Sequence, residues 1–506
     1  MRTVISSGCG PHQVGLEIHT NCPRRSVVTT GGFSLTQLVG LALGLALTVA
    51  AGPSNVWSGF RNGGNQTLAA SSLPLHWSPQ AGIAWRVELP GYGQSAPTVW
   101  KDRLFVTAVR GRKREQFLAL SFDARTGREL WRRELPATTP GDVHEMVGRA
   151  APTPIVEDGA LYLFFESGDL FRLSPRDGKT QWHRPLFQEY GAFQNGHGLG
   201  CSPAHTRDAL ILLVDHQGPS YLLAVEKRTG KTLWKTPRTS RMSWTSPVVT
   251  KQEGRDVVVV SSSGDVQGYD AATGAELWKV EGITGNHIPS PVAVGDQVIL
   301  GAATPRGARS TPGARTPAQS NLALRLVTRE GRPAAEVQWE GKRALCEYGS
   351  PTVHRGLVYT VNPAGVVFCV DAATGEEKYS ERIDGPCWTP PVAAGDHVYF
   401  FCKNGLTTVI KSGPRFEKVA TNRLWEAGAD PAPKLDYSPP PRPMGAGGPG
   451  GRAGGGGRPG GGEGGEGGRA SYGPLDPCVY GVAAVDGAFF VRIGTHLFCV
   501  RGRNGR

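Results

Sequence analysis

One motif restricts the fold of this chain more than any other feature: a Thr-Gly turn followed by Trp. Copies read RTGRELW from residue 125, RTGKTLW from residue 228 and ATGAELW from residue 272. A small residue and Pro lead into an apolar run within each unit, as in TSPVV from residue 245 and GSPTV from residue 349. The aromatic residue returns about every 40 to 60 residues, a period typical of chains built from repeated supersecondary units.

The unit at 245–282 indicates what is repeated. It contains four short segments, PVVT, DVVVVSS, VQGYDA and ELWKV, separated by turns rich in Gly and Asp. Short β-branched or alternating segments joined by such turns predict antiparallel strands. Four strands in a unit of this length are typical of one β-propeller blade.

The two ends of the repeat region predict how the ring closes. Residues 480 to 503 supply three strands, whereas the strand predicted at 83–89 has no partner strands before it. Placing both in one sheet completes a blade and leaves no exposed sheet edge. With seven full units, this predicts an all-β fold over residues 83–503: an eight-bladed β-propeller of four-stranded antiparallel blades, closed by the strand at 83–89 joining the C-terminal blade.

The repeated Gly and aromatic residue are interpreted as structural. Gly accepts the positive φ that a tight turn needs. The aromatic ring four residues later is expected to fill the gap between neighbouring blades, where an indole N–H finds an acceptor. The aromatic residues assigned to this role are Trp85, Trp131, Trp182, Trp234, Trp278, Trp339, Tyr379 and Trp425.

The N-terminus predicts export. Arg24 and Arg25 precede an uncharged, apolar stretch from Leu35 that ends in small residues near Ala50, the layout of a signal peptide with a long n-region. Residues 1–52 are therefore predicted to be a signal peptide or an N-terminal anchor, and only an uncleaved anchor would associate with a membrane. The remainder, beginning with a lead-in at 53–82, is expected in the periplasm or cell envelope.

Two insertions interrupt the repeats. The segment 438–471, between the seventh and eighth blades, is almost free of apolar side chains and is predicted to be disordered, because it cannot offset its ordering entropy. The loop 304–320 in the fifth blade is basic, as is RGRKRE from residue 110 in the first blade. They indicate an anionic glycan, lipid or acidic protein as partner; the alternative is solvated loops in a chain of net charge +12. The basic residues concerned are Arg110, Arg112, Lys113, Arg114, Arg306, Arg309 and Arg315.

The D-A-x-T-G-x-x-L-W repeats resemble those of the PQQ-like repeat family, which includes quinoprotein alcohol dehydrogenases and the outer-membrane assembly lipoprotein BamB. The resemblance covers about residues 83 to 503 and implies an eight-bladed propeller. It is specific for the fold and not for an activity, because one fold serves many functions.

For a quinoprotein, the resemblance implies a calcium-bound PQQ held under an adjacent Cys pair and over a Trp, with an Asp as base. The chain has no adjacent Cys pair and no CxxCH haem motif, and no residues can be assigned as calcium ligands. We therefore expect a monomeric, non-catalytic binding or scaffold propeller without a cofactor, whose partner is an envelope protein or small ligand and not nucleic acid. The alternative is a PQQ-dependent oxidoreductase that uses PQQ with calcium.

Ligands of such propellers usually lie over the central channel, on the face formed by the links between blades. Polar and aromatic residues in these links are the predicted ligand contacts. Three of them are histidines, but their spacing is not that of metal ligands, so no metal site is predicted. Cys387 and Cys478 hold similar places in adjacent blades and form one candidate disulfide; buried free thiols are the alternative. The predicted contacts are His144, Arg149, Asn195, His197, Trp244, His287, Tyr348, Trp388 and Tyr480.

Overall fold

The computed structural model describes residues 55–68, 72–111, 113–140, 149–157, 159–195, 198–304, 313–343, 345–429, 431, 479, 481–485 and 487–502. The predicted signal segment 1–52 and the predicted disordered insertion 438–471 lie outside these residues. The described residues, from 55 to 502, belong to one compact unit. Among the described helices, none has the length and apolar character needed to cross a membrane.

The described chain is almost entirely β-structure, beginning with β1 (Val56–Trp57), α1 (Arg61–Gly64), β2 (Thr67–Leu68) and β3 (Ile83–Glu88). Blades 1 to 4 then follow, with one short helix after blade 2. Their elements are β4 (Thr98–Trp100), β5 (Arg103–Arg110), β6 (Gln116–Asp123), β7 (Glu129–Pro136); β8 (Ile155–Glu157), β9 (Ala160–Phe164), β10 (Asp169–Leu173), β11 (Thr180–Pro185), α2 (Leu186–Tyr190); β12 (Ala204–His205), β13 (Ala209–Val214), β14 (Ser220–Glu226), β15 (Thr232–Arg238); β16 (Val248–Gln252), β17 (Arg255–Ser262), β18 (Asp265–Asp270) and β19 (Glu276–Glu281).

Blades 5 to 8 complete the ring. Their elements are β20 (Val292–Val294), β21 (Gln297–Leu300), β22 (Leu322–Arg329), β23 (Arg332–Glu340); β24 (Thr352–His354), β25 (Leu357–Val361), β26 (Val366–Asp371), β27 (Glu377–Arg382); β28 (Val392–Ala394), β29 (His397–Phe401), β30 (Leu406–Lys411), β31 (Lys418–Arg423); β32 (Gly481–Val485), β33 (Ala488–Ile493) and β34 (His496–Arg501). Each blade is an antiparallel meander, and the first strands of neighbouring blades contact one another around the centre.

The predicted closure of the ring is confirmed. β3 pairs antiparallel with β34, so the eighth sheet has the order β3-β34-β33-β32. Both ends of the propeller therefore belong to one blade, and β3 is not left as an unpaired strand at the start of the ring.

Six of the repeated Trp residues lie between blades. In five blades the indole N–H donates to the backbone carbonyl at the start of the next blade's third-to-fourth turn, which is Thr-Gly in four cases and Asp-Gly in blade 2, at 2.8 to 3.3 Å. The turn Gly lies against the same indole, because a Cβ on Gly274 would come within 2.4 Å of the Trp234 ring. The donor and acceptor residues are Trp85 with Ala124, Trp131 with Pro175, Trp182 with Lys227, Trp234 with Ala271, and Trp339 with Ala372.

Gly274→Ala is expected to lower the free energy of unfolding by about 2 to 4 kcal/mol, because a methyl group would meet the Trp234 ring in addition to straining a φ of +74°. Gly295→Ala is the matched control, since Gly295 has a φ of +62° but no atom within 4 Å of its Cβ position; its expected cost is about 1 kcal/mol. Guanidinium unfolding of both variants measures the difference. Equal losses would contradict the proposed contact.

Blade 5 has no Thr-Gly turn, so Trp278 of blade 4 finds a different hydrogen-bond acceptor. A tight turn at Glu330 and Gly331 joins β22 to β23. Trp278 instead donates to the Gln252 side-chain oxygen at 3.0 Å, and Gln252 donates to two backbone carbonyls of blade 5 at 2.9 Å. The gap between blades 4 and 5 is therefore filled by a Trp-Gln pair.

Trp425 corrects the predicted series of blade aromatics. It lies beyond β31 and packs near Gly405, whereas the position in register with the other aromatics is Ala420, beside the same β-bulge. Trp77 from the lead-in fills the space instead, with its ring near Phe rings of blades 7 and 8. The Asn422 side chain of β31 holds Trp77 in place by accepting a hydrogen bond from its backbone N–H at 2.9 Å.

The small residue before Pro forms a belt that runs from blade 1 to blade 6 around the channel. Its backbone N–H donates to the side-chain hydroxyl of the equivalent residue in the next blade, at 2.9 to 3.2 Å. This contact explains why Ser and Thr recur at these positions, because a short hydroxyl side chain satisfies a buried backbone donor. The bonds run from Ala96 to Thr153, Thr153 to Ser202, Ser202 to Ser246, Ser246 to Ser290, and Ser290 to Ser350.

The lead-in is built into the propeller and crosses its centre. β1 pairs with β4 of blade 1, and β2 pairs in parallel with β28 of blade 7, so these two blades have a fifth strand. On the way, the segment also contacts the first strands of blades 2 and 4. Residues 56–68 of the lead-in therefore occupy the middle of the ring.

Arg61 anchors this crossing segment. It is 2% exposed, and its guanidinium donates to the carbonyl oxygens of Ser290, Pro291 and Pro351, in blades 5 and 6. Its φ is +52°, in a left-handed turn that the following Asn-Gly-Gly residues favour. Burial lowers the pKa of Arg61 to about 9, so the side chain stays cationic at neutral pH.

Candidate functional site

The ring has two faces that carry different turns. The link face carries the links between blades and the turns between second and third strands. The turn face carries the turns between first and second strands and the Thr-Gly turns between third and fourth strands. The Thr-Gly motif and the predicted ligand contacts therefore lie on opposite faces.

The described ligand candidates of the link face meet in pairs that come from neighbouring links. Each pair brings an aromatic ring against a second ring or a cation. The Arg149 guanidinium lies 5.5 Å from the ring centroid of Tyr92, a link residue outside the predicted set. The other pairs are Trp244 with His287 at 6.1 Å between centroids, and Tyr348 with Trp388 at 4.4 Å between centroids.

The remaining candidates are placed individually. Asn195 is half-buried in the link after blade 2. Burial lowers the pKa of His287, the partner of Trp244, so its imidazole is neutral at neutral pH. His144, His197 and Tyr480 lie outside the described residues. The predicted contacts of these residues with a ligand stay predictions.

One pair is extended by a lysine into a three-residue group, here called the aromatic cluster: Tyr348, Trp388 and Lys403. The Lys403 ammonium lies 4.2 Å from the centroid of the Trp388 ring, close enough for a cation–π interaction. Both aromatic rings are half-buried, whereas Lys403 is 7% exposed. Two links and the second-to-third turn of blade 7 therefore converge at one place on the link face.

Lys403 was missed by the sequence reasoning. It lies in a short turn, KNG, whose composition indicates only a reverse turn. Its proximity to Trp388 depends on the pairing of that turn with the preceding link, where the Lys403 backbone N–H donates to the Pro386 carbonyl at 2.7 Å. The sequence around Lys403 does not indicate that an aromatic ring from a link lies against it.

The described arginines of the two basic loops are each paired with a carboxylate. Arg110 contacts Glu134 at 2.5 Å, Arg114 contacts Glu166 at 3.4 Å, and Arg315 contacts Glu340 at 2.7 Å. The partly exposed pairs of Arg110 and Arg315 contribute little stability but reduce the positive field around them, whereas Glu166, the partner of Arg114, is buried. Lys113 is exposed, and Arg112, Arg306 and Arg309 lie outside the described residues.

The turn face contains a pocket of about 530 Å³ between the lead-in and blades 2 to 5. Phe60, Ile155 and Val248 contribute apolar walls. At its polar side, the Lys227 ammonium contacts a Glu157 carboxylate oxygen at 2.7 Å and the His205 ring at 3.1 Å.

The contact between Lys227 and Glu157 pairs one positive with one negative charge. Burial and the neighbouring Lys227 ammonium lower the pKa of His205, which leaves its ring neutral and able to accept the lysine's hydrogen bond. The sequence reasoning missed this group as well. The available signal was a departure from the repeat, because Lys227 stands where other copies have Ala124, Ala271 or Ala372.

A calcium-bound PQQ would need calcium ligands and a tryptophan ring against which it could lie. None of the described His, Cys, Asp and Glu side chains form a group of three or more that could hold a metal ion. Of the two predicted ligand contacts that are tryptophans, Trp388 is already in contact with Tyr348 and Lys403. Trp244 donates to the Gly198 carbonyl at 3.0 Å and has His287 against it.

Comparison with known proteins gives relatives of two kinds. Outer membrane protein assembly factor BamB of Burkholderia pseudomallei is 25% identical over 224 residues, which are 44% of this chain and 54% of that protein. A polyvinylalcohol dehydrogenase from a Pseudomonas species is 24% identical over 239 residues, which are 39% of this chain and 35% of that protein. The chain thus spans about half or less of the length of these curated relatives.

Solved structures confirm the fold. The quinohemoprotein alcohol dehydrogenase of Comamonas testosteroni superposes with a TM-score of 0.54 at 11% identity, over 89% of this chain and 81% of that one. The model of the family described as outer membrane protein assembly factor BamB matches residues 75–197, 192–310 and 323–449. The repeats, the closed ring of eight blades and this match together show that the chain belongs to the BamB family of PQQ-like β-propellers.

Proposed function

We propose that this chain is an exported, non-catalytic propeller of the cell envelope that binds another envelope protein through its link face. The observation that carries the proposal is the aromatic cluster, where Tyr348, Trp388 and Lys403 come together from three separate segments. Trp and Tyr are enriched among the residues that dominate protein interfaces. Trp388 is half-buried and held in place by its neighbours, so little side-chain entropy is lost when a partner covers it.

The family supports this function over catalysis. Relatives named as outer membrane assembly factors match this chain in sequence, and a propeller of that kind supplies a rigid surface. The three described arginines of the basic loops already contact carboxylates of this chain, which favours a protein partner over an anionic glycan or lipid. The proposed contact is therefore aromatic and not purely electrostatic.

Trp388→Ala is expected to reduce partner binding about tenfold or more, because it removes the central ring of the cluster. We would place an aromatic photo-crosslinking amino acid at Tyr348 in the full chain and measure crosslinked product in the envelope fraction. The same amino acid at Thr273, exposed on the turn face, is the positional control.

Trp100→Ala is the matched variant control for Trp388→Ala. Trp100 is also half-buried and has a lysine, Lys101, at 4.1 Å from its ring, but it lies on the turn face. Retention of the crosslink in Trp388→Ala, or its equal loss in Trp100→Ala, would contradict the assignment of the link face. Recovery of the chain only from the cytosol would contradict export.

A PQQ-dependent oxidoreductase is the second candidate, favoured by the match to a polyvinylalcohol dehydrogenase. Titration of the purified full chain with PQQ and calcium tests it directly. A saturable change in PQQ absorbance together with dye-linked alcohol oxidation would establish this candidate and overturn the non-catalytic one.

A further inference from the structure

We propose that Cys387 and Cys402 form a disulfide that joins the link between blades 6 and 7 to the second-to-third turn of blade 7. Their sulfur atoms lie 3.0 Å apart, and the residues are 1% and 0% exposed. This pairing differs from the Cys387–Cys478 option that the repeat positions indicate. Cys478 itself lies outside the described residues.

The backbone at these two cysteines suits a disulfide. Cys387 and Cys402 are directly opposite each other in an antiparallel bridge. Because the Lys403 N–H donates to the Pro386 carbonyl at 2.7 Å, this is a non-hydrogen-bonded pair, in which the Cα atoms are about 4.5 Å apart and the side chains approach closely. Disulfides span Cα separations of about 4.4 to 6.8 Å, with sulfurs bonded at about 2.05 Å. An approach of about 1 Å between the sulfurs therefore completes the bond without moving the strands.

Other buried cysteines have different surroundings. The Cys201 sulfur contacts the Ser202 carbonyl at 3.6 Å, and the Cys369 sulfur contacts the Gly413 carbonyl at 3.8 Å. Burial raises the pKa of both thiols, which disfavours the reactive thiolate. They are expected to remain thiols and serve as internal references.

The bond would form by thiol–disulfide exchange with the disulfide of an envelope oxidoreductase. The thiolate of one cysteine attacks that disulfide and forms a mixed disulfide; the other thiolate then displaces the enzyme's sulfur. One S–S bond forms in this chain and one breaks in the oxidant, which gains two electrons and two protons as a dithiol. The proposal rests on the exported location argued above, since disulfides persist in oxidising compartments.

The disulfide would act directly on the aromatic cluster. Trp388 follows Cys387 and Lys403 follows Cys402, so the bond would hold the two segments that place the ammonium 4.2 Å from the indole. A fixed cluster binds a partner with less loss of conformational freedom. This inference rests on the proposed function: the disulfide would pre-organise the aromatic cluster through which we propose that the partner binds.

Tryptic mapping distinguishes the two pairings. Cleavage after Arg382 and Lys403 gives one peptide, 383–403, that holds both Cys387 and Cys402, whereas Cys478 falls in peptide 470–492. We expect peptide 383–403 from unreduced, alkylated full chain to be about 2 Da lighter than the thiol form and unalkylated. Reduction before alkylation should add two labels, and Cys402→Ser should leave Cys387 open to one label.

Two samples separate this proposal from the question of export. One is the full chain recovered from the envelope fraction, and the other is the purified chain equilibrated in a glutathione redox buffer. Two alkylated cysteines in peptide 383–403 of the envelope sample, or a crosslink to peptide 470–492, would overturn the pairing. If the chain is absent from the envelope, the proposed location fails, and the purified sample alone decides whether the pair forms.

A stability measurement provides an independent readout. The Cys387→Ser, Cys402→Ser double variant is expected to melt about 3 °C below the wild type without reductant, because the crosslink restricts the unfolded chain. With reductant the two should melt much closer together. An equal difference under both conditions would show that the sulfurs only fill space and would contradict the disulfide.

Discussion

Arg61→Ala is expected to lower the free energy of unfolding by about 3 kcal/mol, because it leaves three buried carbonyl oxygens in blades 5 and 6 without donors. Those oxygens belong to Ser290, Pro291 and Pro351, and all three now accept from one guanidinium. The side chain also holds the lead-in across the channel, between its pairing with blade 1 and its pairing with blade 7. Loss of Arg61 should therefore release the lead-in before the blades separate.

Denaturant unfolding and hydrogen exchange of residues 55–68 measure the two parts of this result. Arg61→Met is the shape control: it restores most of the volume but no donors, so it should remain destabilised. Arg325→Met is the charge control, because Arg325 forms an exposed pair with Asp296, and its loss should change stability by about 0.5 kcal/mol or less. Unchanged exchange in the lead-in of Arg61→Ala would show that Arg61 does not anchor it.

Trp131→Ala is expected to cost about 3 to 5 kcal/mol, the range for truncating a buried aromatic residue. Trp131 is 8% exposed and packs beside Phe105 at 6.0 Å between ring centroids. Its indole N–H donates to the Pro175 carbonyl at 3.1 Å, and Gly178 of the next blade lies directly against its ring. The substitution removes both the packing and the hydrogen bond between blades 1 and 2.

Trp131→Phe separates these two contributions. It keeps an aromatic ring but removes the donor to Pro175, so the expected loss is smaller, about 1 to 2 kcal/mol. Leu233→Ala is the surface control, because Leu233 is 51% exposed, and its expected effect is about 0.5 kcal/mol or less. Urea unfolding followed by tryptophan fluorescence and by circular dichroism measures all three. A loss in Trp131→Ala no larger than that in Leu233→Ala would contradict the interblade role.

Much of the fold could be predicted because the repeat is local. The turn at Gly274 and the ring of Trp278 recur with the same short spacing, so they reveal the number of strands and blades. The same reasoning misassigned Trp425, because blade 7 has Ala420 at the aromatic position and a Trp five residues later. A single altered copy offers no pattern from which to detect the shift.

The candidate site was predicted only in part. Tyr348 and Trp388 were found because they are conspicuous aromatic residues in links, and the structure brings their rings together. Lys403 and Lys227 were not found, since each acquires its neighbours from another blade or turn. The pairing of the basic loop with a carboxylate was not predicted either. Glu340 lies outside that loop in the sequence, but it contacts Arg315 in the structure.

By itself, the sequence determined the architecture: eight four-stranded blades, the closure by residues 83–89 and the face on which the Thr-Gly turns lie. These features repeat, and repetition makes short-range preferences readable as a period. Only the tertiary structure decided that the segment around Arg61 crosses the centre of the ring and that Cys387 lies next to Cys402. Such contacts join residues that occur once, and their partners are selected by the packing of whole sheets, which leaves no periodic trace along the chain.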